Sequence, residues 1–210
     1  MKFSDQELSA LMTAVKNRLS EKRFMHIISV VEAAKKIGEY FHDIDLSELS
    51  AAALLHDISK EIKFDEQIAL IEKEYGFITE EDRETVAVLH SLSAPVVIKA
   101  DFSKFASENV LSATKNHTTG NPGMSVFDRI VFIADYVEDT RTYQSCVKVR
   151  GDLYGSLSHE NSYERNEFAL NKAVCDSLDL TENQILKQGR NLNSRSLKTR
   201  NYFCGLINKV

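Results

Sequence analysis

The spacing of apolar residues constrains this chain more than any other feature, because it repeats with the period of an α-helix. Between Glu21 and Tyr40, apolar residues return every three or four positions and form one stripe. No segment keeps the alternation of apolar and polar residues that a half-buried strand requires. Only two prolines and eight glycines interrupt the 210 residues. The sequence therefore predicts an all-α fold, a helical bundle.

Capping residues and turn residues divide the bundle into its predicted helices. Ser4 followed by Glu7 is a capping box, which predicts the start of the first helix. The turn-rich stretch 118–123 separates two helical groups, and we predict a single domain over residues 1–210. The stretch 145–157 is ambiguous because it contains two glycines, and no function is assigned to 197–210. We predict helices at about 4–19, 21–40, 47–57, 65–75, 79–90, 94–100, 107–116, 125–140, 162–178 and 182–189.

Charge and cysteine content narrow the class of protein. A net charge of −5 disfavours a nucleic acid polymer as partner, because such binding needs clustered cations. We expect no membrane partner either, since no apolar run approaches the roughly 20 residues of a spanning helix. Cys146, Cys175 and Cys204 are widely spaced and form no CxxC pair, so we expect neither disulfides nor a cysteine zinc site. Together with the absence of a secretion signal, this favours the cytoplasm.

The adjacent pair His56 and Asp57 is the strongest chemical signal. It follows a run of alanines and leucines at 51–55 that should be buried. Burying an unpaired carboxylate is very costly, and a metal ion both neutralises it and uses the neighbouring imidazole. The pair therefore predicts a metal site in the interior of the bundle.

Four further positions have ordinary explanations when each is taken singly. His26 and His90 lie on or at the end of apolar helical stretches, where a histidine is usually a hydrogen-bonded core residue. His117 at a helix end can complement the helix dipole, and Asp135 can form a cap or an ion pair. Their occurrence together with His56 and Asp57, in one short helical chain, makes a shared metal site the better interpretation. Imidazole and carboxylate ligands of this kind suit Fe, Mn, Co, Ni or Zn.

The order H…HD…H…H…D resembles that of the HD-domain metal-dependent phosphohydrolases. The resemblance extends over residues 18–195 and is closest to the YqeK-type branch, the symmetrical bis(5′-nucleosyl)-tetraphosphatases. The chain departs from the family pattern at Ser91 and Asp139, neither of which is a predicted ligand. The local strings that carry the resemblance are residues 22–26, 54–61, 116–120, 124–125 and 133–141.

The resemblance implies a fold, a cofactor and a reaction. It implies an HD-domain bundle with the metal site at its centre, and hydrolysis of diadenosine tetraphosphate to two ADP by a hydroxide that bridges two metal ions, with iron favoured. Asp57 is the candidate bridge and a catalytic residue. The implied ligands are His26, His56 and Asp135 for one ion, and His90 and His117 for the other.

Three cations near these positions are candidates for binding the phosphate chain. Lys60 follows His56 by four residues and would project from the same side of a continuing helix. Arg141 offers a bidentate phosphate donor, and Arg23 lies three residues before His26. We therefore expect Lys60 and Arg141 to serve catalysis and all three cations to bind substrate. Asp128 shares a helical face with Asp135 and either orients a ligand or caps the helix that starts at Ser125.

Two other interpretations stay open at this point. The chain could be an HD-type phosphohydrolase of another nucleotide, such as a nucleoside monophosphate, a triphosphate or a cyclic nucleotide. It could also be a helical protein that binds a nucleotide without turnover. In each case the expected partner is a small nucleotide. A homodimer is compatible with the sequence, which contains no recognisable interface pattern.

Overall fold

The computed structural model describes residues 1–208, and within that range the chain forms α-helices and no strand. The predicted all-α fold is confirmed. None of the helices described is both long and apolar enough to span a bilayer. The helices are α1 (Asp5–Arg18), α2 (Glu21–Gly38), α3 (Leu46–Leu55), α4 (Phe64–Tyr75), α5 (Glu80–Glu84), α6 (Leu89–Asp101), α7 (Glu108–Asn116), α8 (Val126–Val137), α9 (Gln144–Ser156), α10 (Tyr163–Lys187) and α11 (Ser194–Ile207).

Side-chain caps define where several of these helices begin. The predicted capping box is present, since Ser4 Oγ accepts the backbone N–H of Glu7 and the Glu7 carboxylate accepts the N–H of Ser4. Ser20 and Ser107 accept the N–H of the third helical residue of α2 and α7 in the same way. Such a cap contributes about 1 kcal/mol to helix stability. The starts of these helices were therefore readable from the sequence.

The segment 79–101 differs from the prediction of helices at 79–90 and 94–100. α5 ends at Glu84, because Thr85 has a non-helical backbone (φ −94°, ψ 64°), and a single 3₁₀ turn, Val86–Val88, follows. α6 then runs from Leu89 to Asp101 and continues through Pro95. Proline removes one hydrogen bond from a helix but does not always end it. The result places His90 in the first turn of a helix instead of the last.

The C-terminal part also differs from the prediction. The helices predicted at 162–178 and 182–189 are one continuous helix, α10, because the polar residues between them contain no glycine or proline that would end it. The stretch after it, for which no structure was predicted, contains α11. α11 packs along α10, and Arg200 Nε lies 3.3 Å from the buried Glu182 carboxylate.

The bundle is organised around α3 and α8, whose residues are almost all buried. α2 and α7 each pack against both of them, and α10 covers the other side of α8. One connected hydrophobic core includes residues from Phe3 to Phe203. The single domain predicted for residues 1–210 stays a prediction, and residues 209 and 210 lie outside the described range.

The expectation that no cysteine forms a disulfide is wrong. Cys175 in α10 is bonded to Cys204 in α11, whereas Cys146 is free and buried. A separation of 29 residues gives no signal in a sequence, and the contact arises only because two long helices pack side by side. The disulfide removes the argument that favoured a reducing compartment, so the cytoplasmic location remains a prediction.

We expect Cys204→Ser to lower the free energy of unfolding by about 3–4 kcal/mol under non-reducing conditions, because the disulfide limits the freedom of the unfolded chain across its loop. Guanidinium unfolding of both proteins, with and without dithiothreitol, measures this. In reductant the two proteins should have nearly equal stability. Equal stability without reductant would contradict the disulfide.

Candidate metal centre

The six predicted ligands meet although they come from five helices. Most of them lie at helix ends, where the chain leaves the helix and a side chain can point into the space between neighbouring elements. His56, His90, His117 and Asp57 are buried, whereas His26 and Asp135 remain 14% and 21% exposed at the opening of the cluster. Their positions are α2 for His26, the C-cap of α3 for His56 with Asp57 next to it, α6 for His90, the C-cap of α7 for His117, and α8 for Asp135.

The Asp57 carboxylate divides the four histidines into two pairs. Its Oδ2 atom lies 3.6 Å from His56 Nε2 and 3.9 Å from His26 Nε2. Its Oδ1 atom lies 3.1 Å from His90 Nε2 and 3.6 Å from His117 Nε2. Each oxygen of one carboxylate therefore faces its own pair of imidazoles.

Three overlapping groups of these side chains have donor atoms close enough to share a metal ion. In each group the donor atoms all lie within 4.8 Å of one another. The donors are imidazole nitrogens and carboxylate oxygens, a set that suits a divalent transition metal. The groups are His26 with His56 and Asp57, His56 with His117 and Asp135, and Asp57 with His90 and His117.

The outer nitrogens of three histidines are engaged away from the cluster. His56 Nδ1 donates to the carbonyl of Ala53, and His117 Nδ1 donates to the carbonyl of Thr114, each at 2.7 Å. His26 Nδ1 lies 3.2 Å from a carboxylate oxygen of Glu138, which accepts its hydrogen bond. This arrangement directs the Nε2 atoms inward. Such a partner on the outer nitrogen is typical of histidines that bind metal.

His90 is held differently from the other three histidines. Ser59 Oγ donates to the His90 main-chain carbonyl at 2.7 Å, which fixes the start of α6 against the turn after α3. Lys60 Nζ lies 3.1 Å from both ring nitrogens, and Thr118 Oγ1 lies 3.2 Å from Nε2. His90 therefore has a cation beside its ring.

All three predicted cations reach the cluster. Arg23 Nη1 donates to Asp57 Oδ2 at 2.7 Å, and Arg141 Nη2 donates to Asp135 Oδ1 at 2.6 Å. Lys60 approaches His90 as described. The Nε atoms of both arginines are buried, and Arg141 Nε lies 3.8 Å from a carboxylate oxygen of Glu138.

Electrostatics keeps the two carboxylates charged. Burial alone would raise the pKa of Asp57, but the neighbouring His56, His117 and His90 hold it well below its usual value. Burial likewise opposes ionisation of Asp135, and Arg141 with His26 holds its pKa well below the ordinary range. Both carboxylates are therefore anionic at neutral pH.

Burial has the opposite effect on the buried bases. It lowers the pKa of His56 and that of His90 to about 4, so both rings stay neutral and keep a lone pair to offer. Burial also lowers the pKa of Lys60. For His26, burial is outweighed by Asp135 and Asp57, which raise its pKa.

Two nearby carboxylates take structural roles that the sequence left open or missed. Asp128 completes the capping box of α8 with Ser125 and accepts hydrogen bonds from Ser112 and Asn116 on α7, so the capping alternative is the one observed. Glu138 supports His26, which no spacing argument indicated. Its sequence signals are its place three residues after Asp135, where α8 ends, and its presence in the string 133–141 that carries the family resemblance.

A cavity of about 430 Å³ opens beside His117, Asp135 and Arg141. Its far wall comes from the end of α10 and the chain that leads into α11, and the exposed Tyr143 lies at its edge. Thr85, Ala87 and Val88, which follow α5, line one side. Within α5, the Glu81 carboxylate accepts hydrogen bonds from the backbone and hydroxyl of Ser194 at 2.6 and 2.7 Å. The acidic run 80–82 forms the first turn of α5, where negative charge is favourable.

The HD domain model matches residues 23–140, more than half of the chain. The chain belongs to the HD domain family. The matched segment contains all six predicted ligands, and the predicted resemblance is confirmed. HD domains are metal-dependent, in agreement with the groups of side chains described above.

Individual proteins are similar to this chain over most of its length. The chain is 29% identical to the symmetrical bis(5′-nucleosyl)-tetraphosphatase of Halalkalibacterium halodurans over 89% of its length and 91% of the relative's. It is 26% identical to the Staphylococcus aureus protein of the same name, over 90% of each. A crystal structure of a predicted HD superfamily hydrolase involved in NAD metabolism, from Clostridium acetobutylicum, superposes with a TM-score of 0.80 at 27% identity and covers 97% of this chain and 98% of that one.

We expect Gly120→Ala to destabilise the protein by at least about 1–3 kcal/mol, because Gly120 has a positive φ of 65° that other residues adopt at a cost. An added Cβ would also lie only 2.5 Å from Thr199 Cγ2 of α11. Chemical unfolding measures the loss. Adding Thr199→Ser should recover the part due to the clash and leave the backbone part, whereas unchanged stability of Gly120→Ala would contradict this packing.

Proposed function

We propose that this protein is a metal-dependent hydrolase that splits diadenosine tetraphosphate, and related dinucleoside polyphosphates, symmetrically into two nucleoside diphosphates. Water adds to one of the two inner phosphorus atoms, and the bond from that atom to the central bridging oxygen breaks. One ADP gains the new P–O bond and the other leaves with the bridging oxygen. The names of the similar proteins from H. halodurans and S. aureus support this choice of substrate.

The observation that carries the metal proposal is the division of the histidines by Asp57. One carboxylate whose two oxygens face separate pairs of imidazoles suits a ligand that bridges two ions. We propose that His26, His56 and Asp135 complete one position and that His90 and His117 complete the other. Iron is the proposed metal, and Mn, Co, Ni or Zn would fit the same donors.

The donor atoms fit such ions without rearrangement of the fold. His56 Nε2 is buried and lacks a hydrogen-bond partner among residues 1–208, which is costly unless something else uses its lone pair. Two ions held there would lower the pKa of water and offset negative charge on phosphoryl oxygens. The chain's own contribution is to hold the buried rings of His56 and His90 neutral and both carboxylates anionic, and to exclude bulk water.

We propose that Arg23, Lys60 and Arg141 bind the tetraphosphate. Each lies beside a cluster carboxylate or imidazole, and a guanidinium can offer two parallel donors to phosphate oxygens. Lys60 and Arg141 are the proposed catalytic cations, because stabilising charge that develops on the phosphates accelerates cleavage. The neighbouring cavity has room for one nucleoside end.

Purified protein supplied with metal should convert diadenosine tetraphosphate to ADP as the sole product, since attack at an inner phosphorus gives two equal halves. Product analysis by ion-exchange chromatography measures this. Asp57→Ala should reduce turnover to background, and the isosteric Asp57→Asn serves if the alanine variant is unstable.

Each other outcome counts against a defined part of the proposal. AMP with ATP would contradict symmetrical cleavage. Hydrolysis only of another nucleotide would contradict the substrate. Binding without turnover would favour a nucleotide-binding protein, and full turnover by Asp57→Asn would contradict the bridging role.

Metal removal should lower the thermal stability of the wild-type protein, because ions that bind only the folded state stabilise it. At a free metal concentration of 100 times the dissociation constant the gain is about 2.7 kcal/mol per site. Differential scanning fluorimetry after chelation and after addition of Mn²⁺ measures the shift in Tm. Asp57→Asn should lose most of this response, and a wild-type Tm that is independent of metal would contradict the site.

A further inference from the structure

The outer nitrogen of His26 differs from those of His56 and His117 in the kind of partner it has. The latter two donate to main-chain carbonyls within their own helical turns. His26 Nδ1 instead donates to the side chain of Glu138, 112 residues away at the end of α8. A main-chain carbonyl is fixed and neutral, whereas this partner carries a full charge and comes from another element.

Glu138 is itself held in place by several contacts. Its carboxylate is 1% exposed, and it accepts hydrogen bonds from the Thr140 backbone N–H and the Thr140 hydroxyl, each at 2.7 Å. The Glu138 N–H donates to the Ala134 carbonyl, and the Arg150 guanidinium donates to the Glu138 main-chain carbonyl. The carboxylate is thus built into the fold and is not a surface group that meets His26 by chance.

We propose that Glu138 is a positioning residue that fixes His26 as an Nε2 ligand and thereby sets the affinity of one metal position, the one formed with His56 and Asp57. This inference rests on the proposed function in one respect, namely that the cluster binds metal. A carboxylate on the outer nitrogen of a ligand histidine fixes its tautomer and raises its basicity.

The contacts predict that the effect is confined to that position. Glu138 accepts a hydrogen bond from His26, and its Oε1 atom lies 3.8 Å from Arg141 Nε, but it makes no hydrogen bond to His56, His90 or His117. The pair on the other oxygen of Asp57 has a cation near it, because Lys60 Nζ lies 3.1 Å from the His90 ring. The His26 half has a cation as well, since Arg23 donates to Asp57 Oδ2, so the buried Glu138 carboxylate is the charge that distinguishes that half.

A carboxylate is required at 138 because it must accept every hydrogen bond offered to it. In Glu138→Gln, an amide oxygen turned toward His26 would leave the amide NH₂ facing the Thr140 N–H, two donors in opposition. The reverse orientation would present NH₂ to His26 Nδ1 and favour the ring tautomer that has hydrogen on Nε2. Either orientation weakens His26 as a ligand without changing the volume of the side chain.

The test is Mn²⁺ titration by isothermal calorimetry of metal-stripped protein in a His90→Asn background, which leaves the His26 position to be measured alone. We expect Glu138→Gln to weaken Mn²⁺ binding there by about 10–100-fold. Asp139→Asn is the matched control, because it removes the same charge from the next residue, whose side chain is 89% exposed, lies 3.5 Å from Arg150 Nε and touches no proposed ligand. The control should bind Mn²⁺ like the background protein.

Circular dichroism and the unfolding midpoint establish that each variant is folded. If Glu138→Gln is not, Thr140→Val keeps the carboxylate, removes one of its donors and should weaken the same position by a smaller factor. Unchanged affinity in Glu138→Gln, or equal weakening by Asp139→Asn, would overturn the inference. Absence of Mn²⁺ binding by the wild-type protein would instead overturn the proposed function, and the inference with it.

Discussion

The structure is organised around one feature that is unfavourable in free energy, a carboxylate buried at the end of the most buried helix. Asp57 follows α3, which has no exposed residue from Ser47 to Leu55. An isolated buried carboxylate would take up a proton or destabilise the fold. Here the Arg23 guanidinium donates to it at 2.7 Å, and four imidazoles surround it. The elements that pack around α3 therefore also supply the partners of its terminal charge.

This requirement explains why most of the clustered side chains lie where helices end. A C-cap residue such as His56 or His117 has left the regular helix, and its ring can turn back to donate to a carbonyl of its own last turn. The remaining ring nitrogen then points away from the helix axis toward Asp57. Helix ends from α3 and α7 meet in this way, and α2 and α8 complete the cluster from their sides. The packing of these helix ends therefore also brings the clustered side chains together.

The early helices and the members of the cluster could be predicted from the sequence, because local patterns of residues encode them. Capping residues such as Ser4 and the helical spacing of apolar residues predicted the early helices. The order of histidines and aspartates predicted the cluster. Contacts between elements that are distant in the sequence leave no such local pattern. The continuation of α10 through polar residues, the bond between Cys175 and Cys204 and the support of His26 by Glu138 all depend on how distant elements pack. The break at Thr85 was missed because the apolar pattern continues across it.

The cavity beside the cluster is made largely from a different part of the chain than the cluster itself. The six clustered side chains lie between residues 26 and 135, whereas most of the cavity wall comes from residues 143–196, beyond the segment that the HD domain model matches. Substitutions in the wall can therefore accumulate without disturbing the buried charges. A lineage that carries this architecture can change the shape of what it accommodates while its chemical centre stays constant, so the two properties are free to evolve at different rates.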